Sequence, residues 1–180
     1  MRQANVRFNY QDYLQLPEDK RYEILDGELY LVPTPNTRHQ RVSKKIETAL
    51  IRQVEEKGLG EVFHAPYDVV LSTENVTQPD ILVVCTERLS IIAEANLPGA
   101  PDLVIEVLSP GTRQKDLAIK RKIYARFGVQ EYWIVDPDRK TVEVLSWTES
   151  GYRTEAVVPA TGTLNSALFP GLNLDLAEIF

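Results

Sequence analysis

PDLVIEVLSPGTRQKDLAIKRKIYARFGVQEYWIVD, residues 101–136, is the stretch whose reading decides the fold. Within Asp102–Leu108 the residues Leu103, Val104, Ile105, Val107 and Leu108 are apolar on nearly successive positions, the pattern of a strand buried on both faces of a central sheet. EYWIVD reads as a second strand, and between the two the spacing predicts a helix over 112–127, stopped by Gly128. Glu106 is the anomaly. An unpaired ionised carboxylate inside such a strand costs several kcal/mol, so a cation, a metal, a proton or strong donors must sit beside it. The helix offers a matching anomaly, because Leu117, Lys120, Tyr124 and Phe127 share one face and put a lysine in the middle of an apolar stripe. A lysine there either snorkels past its neighbours or meets a buried acid. The short SPGTRQ connection folds that face back over the sheet, where Glu106 and Lys120 can meet.

Working outward, a second apolar run, ILVV at 81–84, opens with the same dipeptide: Pro79-Asp80 there, Pro101-Asp102 before LVIEVL. Each proline ends what precedes it and leaves its aspartate at the start of a buried strand. Further strands are expected at Glu61–His64 and Tyr67–Leu71, and a short helix within Glu87–Asn96. On the N-terminal side, Tyr22–Leu25 and Glu28–Val32 flank Asp26-Gly27, the two-residue turn of a β-hairpin. Val42, Ile46, Ala49, Leu50 and Val54 recur at helical spacing within Thr37–Lys57, and Gly58 follows where a C-terminal glycine belongs. Residues 1–20 read as an arm with one helical segment around Asp12–Leu16. The tail alternates strands, VEVLSW and GYRTEAVV, before Asp175 starts a closing helical turn. Together these predict one α/β domain over residues 1–180: a mixed central β-sheet flanked by α-helices, with an N-terminal β-hairpin.

Composition narrows the class. The chain has 180 residues, 43% hydrophobic and 26% charged, which suits one globular domain with a real core. Twenty basic against 26 acidic residues give a formal net charge of −6, the wrong sign for gripping nucleic acid by overall charge. One cysteine, Cys85, makes no internal disulfide, and two histidines, His39 and His64, supply neither a zinc-finger pattern nor a His-rich metal site. The first 20 residues hold no apolar stretch long enough for a secretory signal or a membrane span, so a soluble cytoplasmic protein is expected.

Two carboxylates and a lysine converging at a sheet are the parts of a metal-dependent phosphodiester-cleaving site. Hard oxygens hold Mg²⁺, which keeps several waters, lowers the pKa of one and offsets charge on phosphate oxygens. A lysine orients the attacking water or stands as a fixed cation beside the transition state. In this light RYEILDGELY, RHQRV, PDILVV, PDLVIEVLSP, DLAIKRKIYARFGVQEYWIVDP and FPGLNLDLAEIF, in that order over roughly residues 10–180, resemble the "putative restriction endonuclease" family within the PD-(D/E)xK nuclease superfamily. The resemblance implies a restriction endonuclease-like fold and an endonuclease that hydrolyses DNA with Mg²⁺ or Mn²⁺. Asp80 matches the motif aspartate and Glu106 the acidic residue of the (D/E) position. The motif lysine would stand at position 108, where this chain has Leu108; the resemblance and the stripe together assign its role to Lys120. Glu23 is similar to the family's early acidic residue, a further metal ligand or a supporting group.

Plainer readings stand beside these. Asp80 and Asp102 can satisfy backbone donors at strand starts; Glu106 with Lys120 can be a structural ion pair; Glu23 can be a solvated hairpin residue. His39, beside Gln40 and Arg41, reads as a local cap or hydrogen-bonding residue, with contact to a phosphate the alternative, and His64 and Cys85 read as core or near-core. Lys44, Lys45, Arg52, Lys57, Lys115, Arg121, Lys122 and Arg126 are solvated helix faces unless they share one patch. The competing functions are a non-catalytic nucleic-acid- or protein-binding module with a decayed site, and a nuclease acting on RNA or branched DNA. A homodimer is expected by analogy, since a two-fold pair suits cutting both strands of a duplex.

Overall fold

Residues 6–17, 19–111, 113 and 115–180 are described by the computed structural model of this chain. The deciding stretch folds as a strand, Leu103–Val107 (β8), a helical return, and a strand, Glu131–Asp136 (β9), that pairs parallel to β8. Around this pair the sheet extends antiparallel in both directions. Ile81–Cys85 (β6) and Gly60–His64 (β3) lie beyond β8; Thr141–Thr148 (β10) and Gly151–Pro159 (β11) lie beyond β9, giving the order β11-β10-β9-β8-β6-β3. One parallel pair among antiparallel neighbours makes the sheet mixed, as expected.

Alternation along β8 sorts its side chains. Leu103, Ile105 and Val107 face the helix Thr37–Leu50 (α2), whose Val42, Ile46 and Leu50 complete that core with Trp133 and Val135. Val104 and Leu108 face the opposite way, with Tyr132 and Ile134 of β9 and Ile123 and Tyr124 of the helix Arg121–Arg126 (α3). Period-two geometry therefore puts Glu106 on the α3 face.

That second face is covered by another sheet, which the sequence reading did not separate from the first. The hairpin Tyr22–Leu25 (β1) and Glu28–Leu31 (β2), turned through Asp26 and Gly27 at φ of 50° and 77°, joins Val69–Ser72 (β4), Asn75–Thr77 (β5) and Leu97–Pro98 (β7) in the order β2-β1-β5-β4-β7. Leu25, Val69, Leu71 and Leu97 pack from it onto the central sheet.

Several expectations shift by a turn. The predicted helix over 37–57 is α-helical to Leu50 and continues as a π-helix over Ile51–Glu55, before Gly58 at φ +68°. The predicted helix over 112–127 includes positions 112 and 114, outside the described residues; it is a π-helix over Lys115–Lys120, then α3. A π-helical turn closes i→i+5 and is wider than an α-turn, which changes the angular phase. Leu117 consequently turns outward, 36% exposed, while Lys120 and Tyr124 turn in. The short helix expected within 87–96 is a 3₁₀ segment over Thr86–Ile91. The N-terminal helix lies at Tyr10–Tyr13 (α1), because Asn9 and Asp12 form a capping box that starts it earlier than Asp12. His64, read as core or near-core, ends the edge strand β3 exposed, with Nδ1 2.7 Å from Glu47 Oε1. The tail adds Thr163–Asn165 (β12), Asn173–Asp175 (β13) and, capped by Asp175 on the Ala177 N–H, Leu176–Ile179 (α4).

Candidate functional site

Pairing of Ile81 with Ile105 in the antiparallel β6–β8 ladder, extended by one step, sets Asp80 opposite Glu106. The two carboxylates are therefore cross-strand neighbours, Glu106 on the α3 face and Asp80 at the end of the ladder, where it also reaches the start of α2. Asp80 is anchored by its own strand pair: Oδ2 accepts the Val107 N–H at 2.8 Å and faces His39 Nε2 at 3.1 Å. Asp102, in the same sequence context, does different work. Its Oδ2 accepts the Cys85 N–H at 2.8 Å and its Oδ1 the Arg88 guanidinium at 2.7 Å, so it pins the far end of the strand pair, as the plainer reading has it.

Glu106, 3% exposed, meets Lys120, also 3% exposed: Nζ donates to Oε1 at 2.8 Å. Glu23 from β1 closes the group, with Oε1 2.8 Å from the same ammonium and accepting the Gln78 N–H at 3.0 Å. Tyr124 OH donates to Glu106 Oε1 at 2.7 Å. Burial, reinforced by the Glu106 charge, raises the phenol well above its ordinary pKa and keeps it a donor. Lys120 and Tyr124, four residues apart, thus both address one carboxylate oxygen.

His39 is the residue whose role the sequence reading placed elsewhere. Its N–H does join the Asn36 cap at 2.9 Å, but its ring is buried against Asp80. Nδ1 is buried with no hydrogen-bond partner among the described residues. A proton on Nδ1 would be an unsatisfied buried donor, so the hydrogen-bond pattern assigns Nε2 as the ring nitrogen that donates to Asp80. The signal was available: His39, Val42, Ile46 and Leu50 share the buried stripe of α2, so this histidine interrupts an apolar face just as Lys120 does. Gln78 also went unremarked. Its amide bridges Asp68 at 2.7 Å and Tyr13 at 3.1 Å, its Oε1 takes Arg21 Nε at 2.8 Å, and its backbone holds Glu23.

Arg21, Glu23, Asp80, Glu106, Ser109 and Lys120 line a cavity of about 30 Å³, room for a water or a small ion. Leu108, at the motif-lysine position, is 6% exposed on the same face as Glu106, and the ammonium reaches that face from Lys120 instead. Among the described residues no three of His, Cys, Asp and Glu are gathered as ligands of one ion. Mg²⁺ does not require that, since it is commonly held by one or two carboxylates with waters and substrate phosphate filling the rest. Asp80 and Glu106, hard carboxylates at a small polar cavity, fit that demand, and Glu23 lines the same cavity as the further ligand or supporting group.

Comparison with known proteins bears on the family and the fold. Residues 10–177 match the family model Uma2, described as "Putative restriction endonuclease". The chain is 27% identical over 145 residues to "Uncharacterized protein slr1290" of Synechocystis sp. (strain ATCC 27184 / PCC 6803 / Kazusa), covering 78% of this chain and 75% of that one. A crystal structure titled as a putative nuclease belonging to DUF820 from Anabaena variabilis ATCC 29413 superposes with a TM-score of 0.80 at 23% identity, over 96% of this chain and 97% of the other. It shares the fold.

Proposed function

The chain belongs to the Uma2 family of "putative restriction endonucleases", and from that premise we propose that it is an Mg²⁺-dependent endonuclease that hydrolyses DNA phosphodiester bonds at the Asp80, Glu106 and Lys120 cluster. The observation that carries the proposal is the cross-strand placement of Asp80 and Glu106 on one cavity that also holds a buried lysine. Asp80 and Glu106 would hold the metal, Mg²⁺ or Mn²⁺, which supplies an activated water and charge stabilisation on the phosphate. Lys120 is a fixed cation where negative charge develops, held by Glu23 and Glu106 so that little reorganisation is needed when the substrate arrives. The Val107 N–H and His39 fix the Asp80 carboxylate, and Tyr124 fixes Glu106.

The experiment is cleavage of plasmid and linear duplex DNA by purified protein with Mg²⁺ or Mn²⁺. Glu106→Gln and Asp80→Asn are each expected to abolish cutting while the circular dichroism spectrum is retained. Metal-dependent cutting that survives both substitutions sinks the assignment. Failure to bind Mg²⁺ or Mn²⁺ by calorimetry would leave the cluster a structural ion pair in a binding module. The proposal extends to a homodimer that presents two sites to a duplex, which light scattering tests. No helix is long and apolar enough to cross a membrane among the described residues.

A further inference from the structure

The exposed side of α2 is basic along its length. Arg41 and Lys45 follow one another at helical spacing on α2, opposite the buried Val42, Ile46 and Leu50, Lys44 flanks them, and Arg52 continues the row on the π-helical segment Ile51–Glu55. All four are exposed, and they line one groove of about 520 Å³ between α2 and α4, where Glu178 is the acidic residue. Among the described residues Arg41, Lys44 and Arg52 make no ion pair, and the Lys45 ammonium donates only to the Ile179 carbonyl at 3.2 Å. In a chain of net charge −6, four cations beside one anion in a single groove is a local reversal of sign.

The groove adjoins the candidate site through shared wall residues. Lys44 also lines a smaller cavity of about 80 Å³ whose walls include Arg21, His39, His64 and Asp80, and Arg21, His39 and Asp80 line the carboxylate cavity in turn. From Arg41 to Arg52 the helix rises about 16 Å, and duplex DNA advances about 3.4 Å per nucleotide of a strand, so the row matches roughly five nucleotides.

We infer that the α2–α4 groove is a docking surface for the nucleic-acid backbone: Arg41, Lys44, Lys45 and Arg52 contact successive phosphates of the strand whose scissile bond lies at Asp80 and Glu106. This rests on the nuclease reading for the identity of the polyanion. Phosphate contacts of this kind give position and affinity without sequence preference.

The test is the salt dependence of duplex binding, read by fluorescence anisotropy with a 20-base-pair oligonucleotide in EDTA, so that nothing is cut. Each lost phosphate contact removes about 0.9 from the slope of log K against log salt. Arg41→Ala/Lys44→Ala/Arg52→Ala is expected to flatten the slope by about 2.7 and weaken binding on the order of 10²-fold at about 0.1 M salt. Lys122→Ala/Arg126→Ala/Arg153→Ala removes the same charge from exposed sites on α3 and β11 and is expected to keep the wild-type slope. Equal losses in the two variants, or an unchanged slope in the first, would overturn the docking surface, as would a wild type that binds phosphatidylserine vesicles but no duplex. The two readings fail separately. Binding through the groove without metal-dependent cutting refutes the nuclease and leaves the surface; cutting with binding indifferent to the α2 variant does the reverse.

Discussion

Replacing Lys120 by Met isolates what the buried ammonium does. The side chains of Lys120, Glu23 and Glu106 are 4%, 1% and 4% exposed, and the ammonium lies 2.8 Å from one oxygen of each carboxylate. Those two oxygens can therefore be no more than about 5.6 Å apart, where two like charges repel by about 3 kcal/mol at an effective dielectric constant of 20. Breaking a buried pair by removing one partner costs about 3–5 kcal/mol by the same logic, since it strands a charge. Lys120→Met keeps most of the volume and removes the charge, so a destabilisation of about 3–5 kcal/mol is expected, seen as a urea midpoint lowered by about 2 M at a slope of about 2 kcal/mol/M. Glu23→Gln added to Lys120→Met should restore roughly half, because one stranded carboxylate remains and Tyr124 still donates to it. Lys122→Met, on the exposed side, should stay within about 0.5 kcal/mol of wild type. If Lys120→Met unfolds within about 1 kcal/mol of wild type, or the double variant is no better than the single, the three groups are not electrostatically interdependent and the preorganised-cation argument fails.

Three further outcomes follow from the same contacts. His39→Ala should reduce metal-dependent cleavage about 10- to 100-fold, with His39→Gln recovering part of it by donating to Asp80; equal loss in both, with an altered circular dichroism spectrum, would assign His39 to the core instead. For Asp136, burial alone would raise the pKa, but the Arg113 guanidinium and the Asp138 and Arg139 N–H groups outweigh it, and the net value falls below 3.8. Because the folded-state value is the lower one, its stabilisation is present above about pH 4 and lost as pH falls through the folded value. Urea titrations at pH 7 and pH 3 should then show a larger acid loss for wild type than for Asp136→Asn, and identical losses would refute this. The Cys85 thiol is pushed up to about 12 by burial and then by the Asp102 carboxylate. Its thiolate at pH 8 should be on the order of 10³ scarcer than that of a free cysteine, so native protein should react with iodoacetamide far more slowly than urea-unfolded protein.

What the sequence disclosed and withheld follows from the length of the pattern each residue belongs to. Glu106 and Lys120 were legible because each breaks an apolar run, of strand period in one case and helix period in the other. The Asp26-Gly27 turn was legible because both positions need positive φ, which they have. The second sheet was not. Its β5 and β7 are three and two residues long, too short for any period, and they are ordered by pairing with β1 and β4 rather than by local preference. His39 was assigned from its sequence neighbours when its position on the α2 stripe was the better guide. Glu131, another buried carboxylate, was hidden at the start of EYWIVD; it takes Trp133 Nε1 at 2.6 Å and the Ala167 and Leu168 N–H groups at 3.0 and 3.1 Å, so it ties the C-terminal segment to the sheet.

The contrast between Glu131 and Glu106 also bears on why the proposed function assigns chemistry to Glu106. Glu131 is surrounded by neutral donors from a loop and an indole, an arrangement that leaves nothing for it to exchange. Glu106 instead shares a lysine with Glu23 beside a cavity and opposite Asp80, so a held cation and a small polar space stand next to it. Two register choices create the difference. A slip of one residue in the β6–β8 ladder would send Glu106 toward Val42 and Ile46 of α2. The π-helical segment over Lys115–Lys120 sets the phase at which Lys120 and Tyr124 both face inward while Leu117 faces out. The net charge of −6 is accordingly a poor guide to local charge: Lys120 offsets part of the Glu23 and Glu106 charge, and Arg41, Lys44, Lys45 and Arg52 outnumber Glu178 in one groove, so under the proposed function a phosphodiester would meet a local field of the opposite sign there.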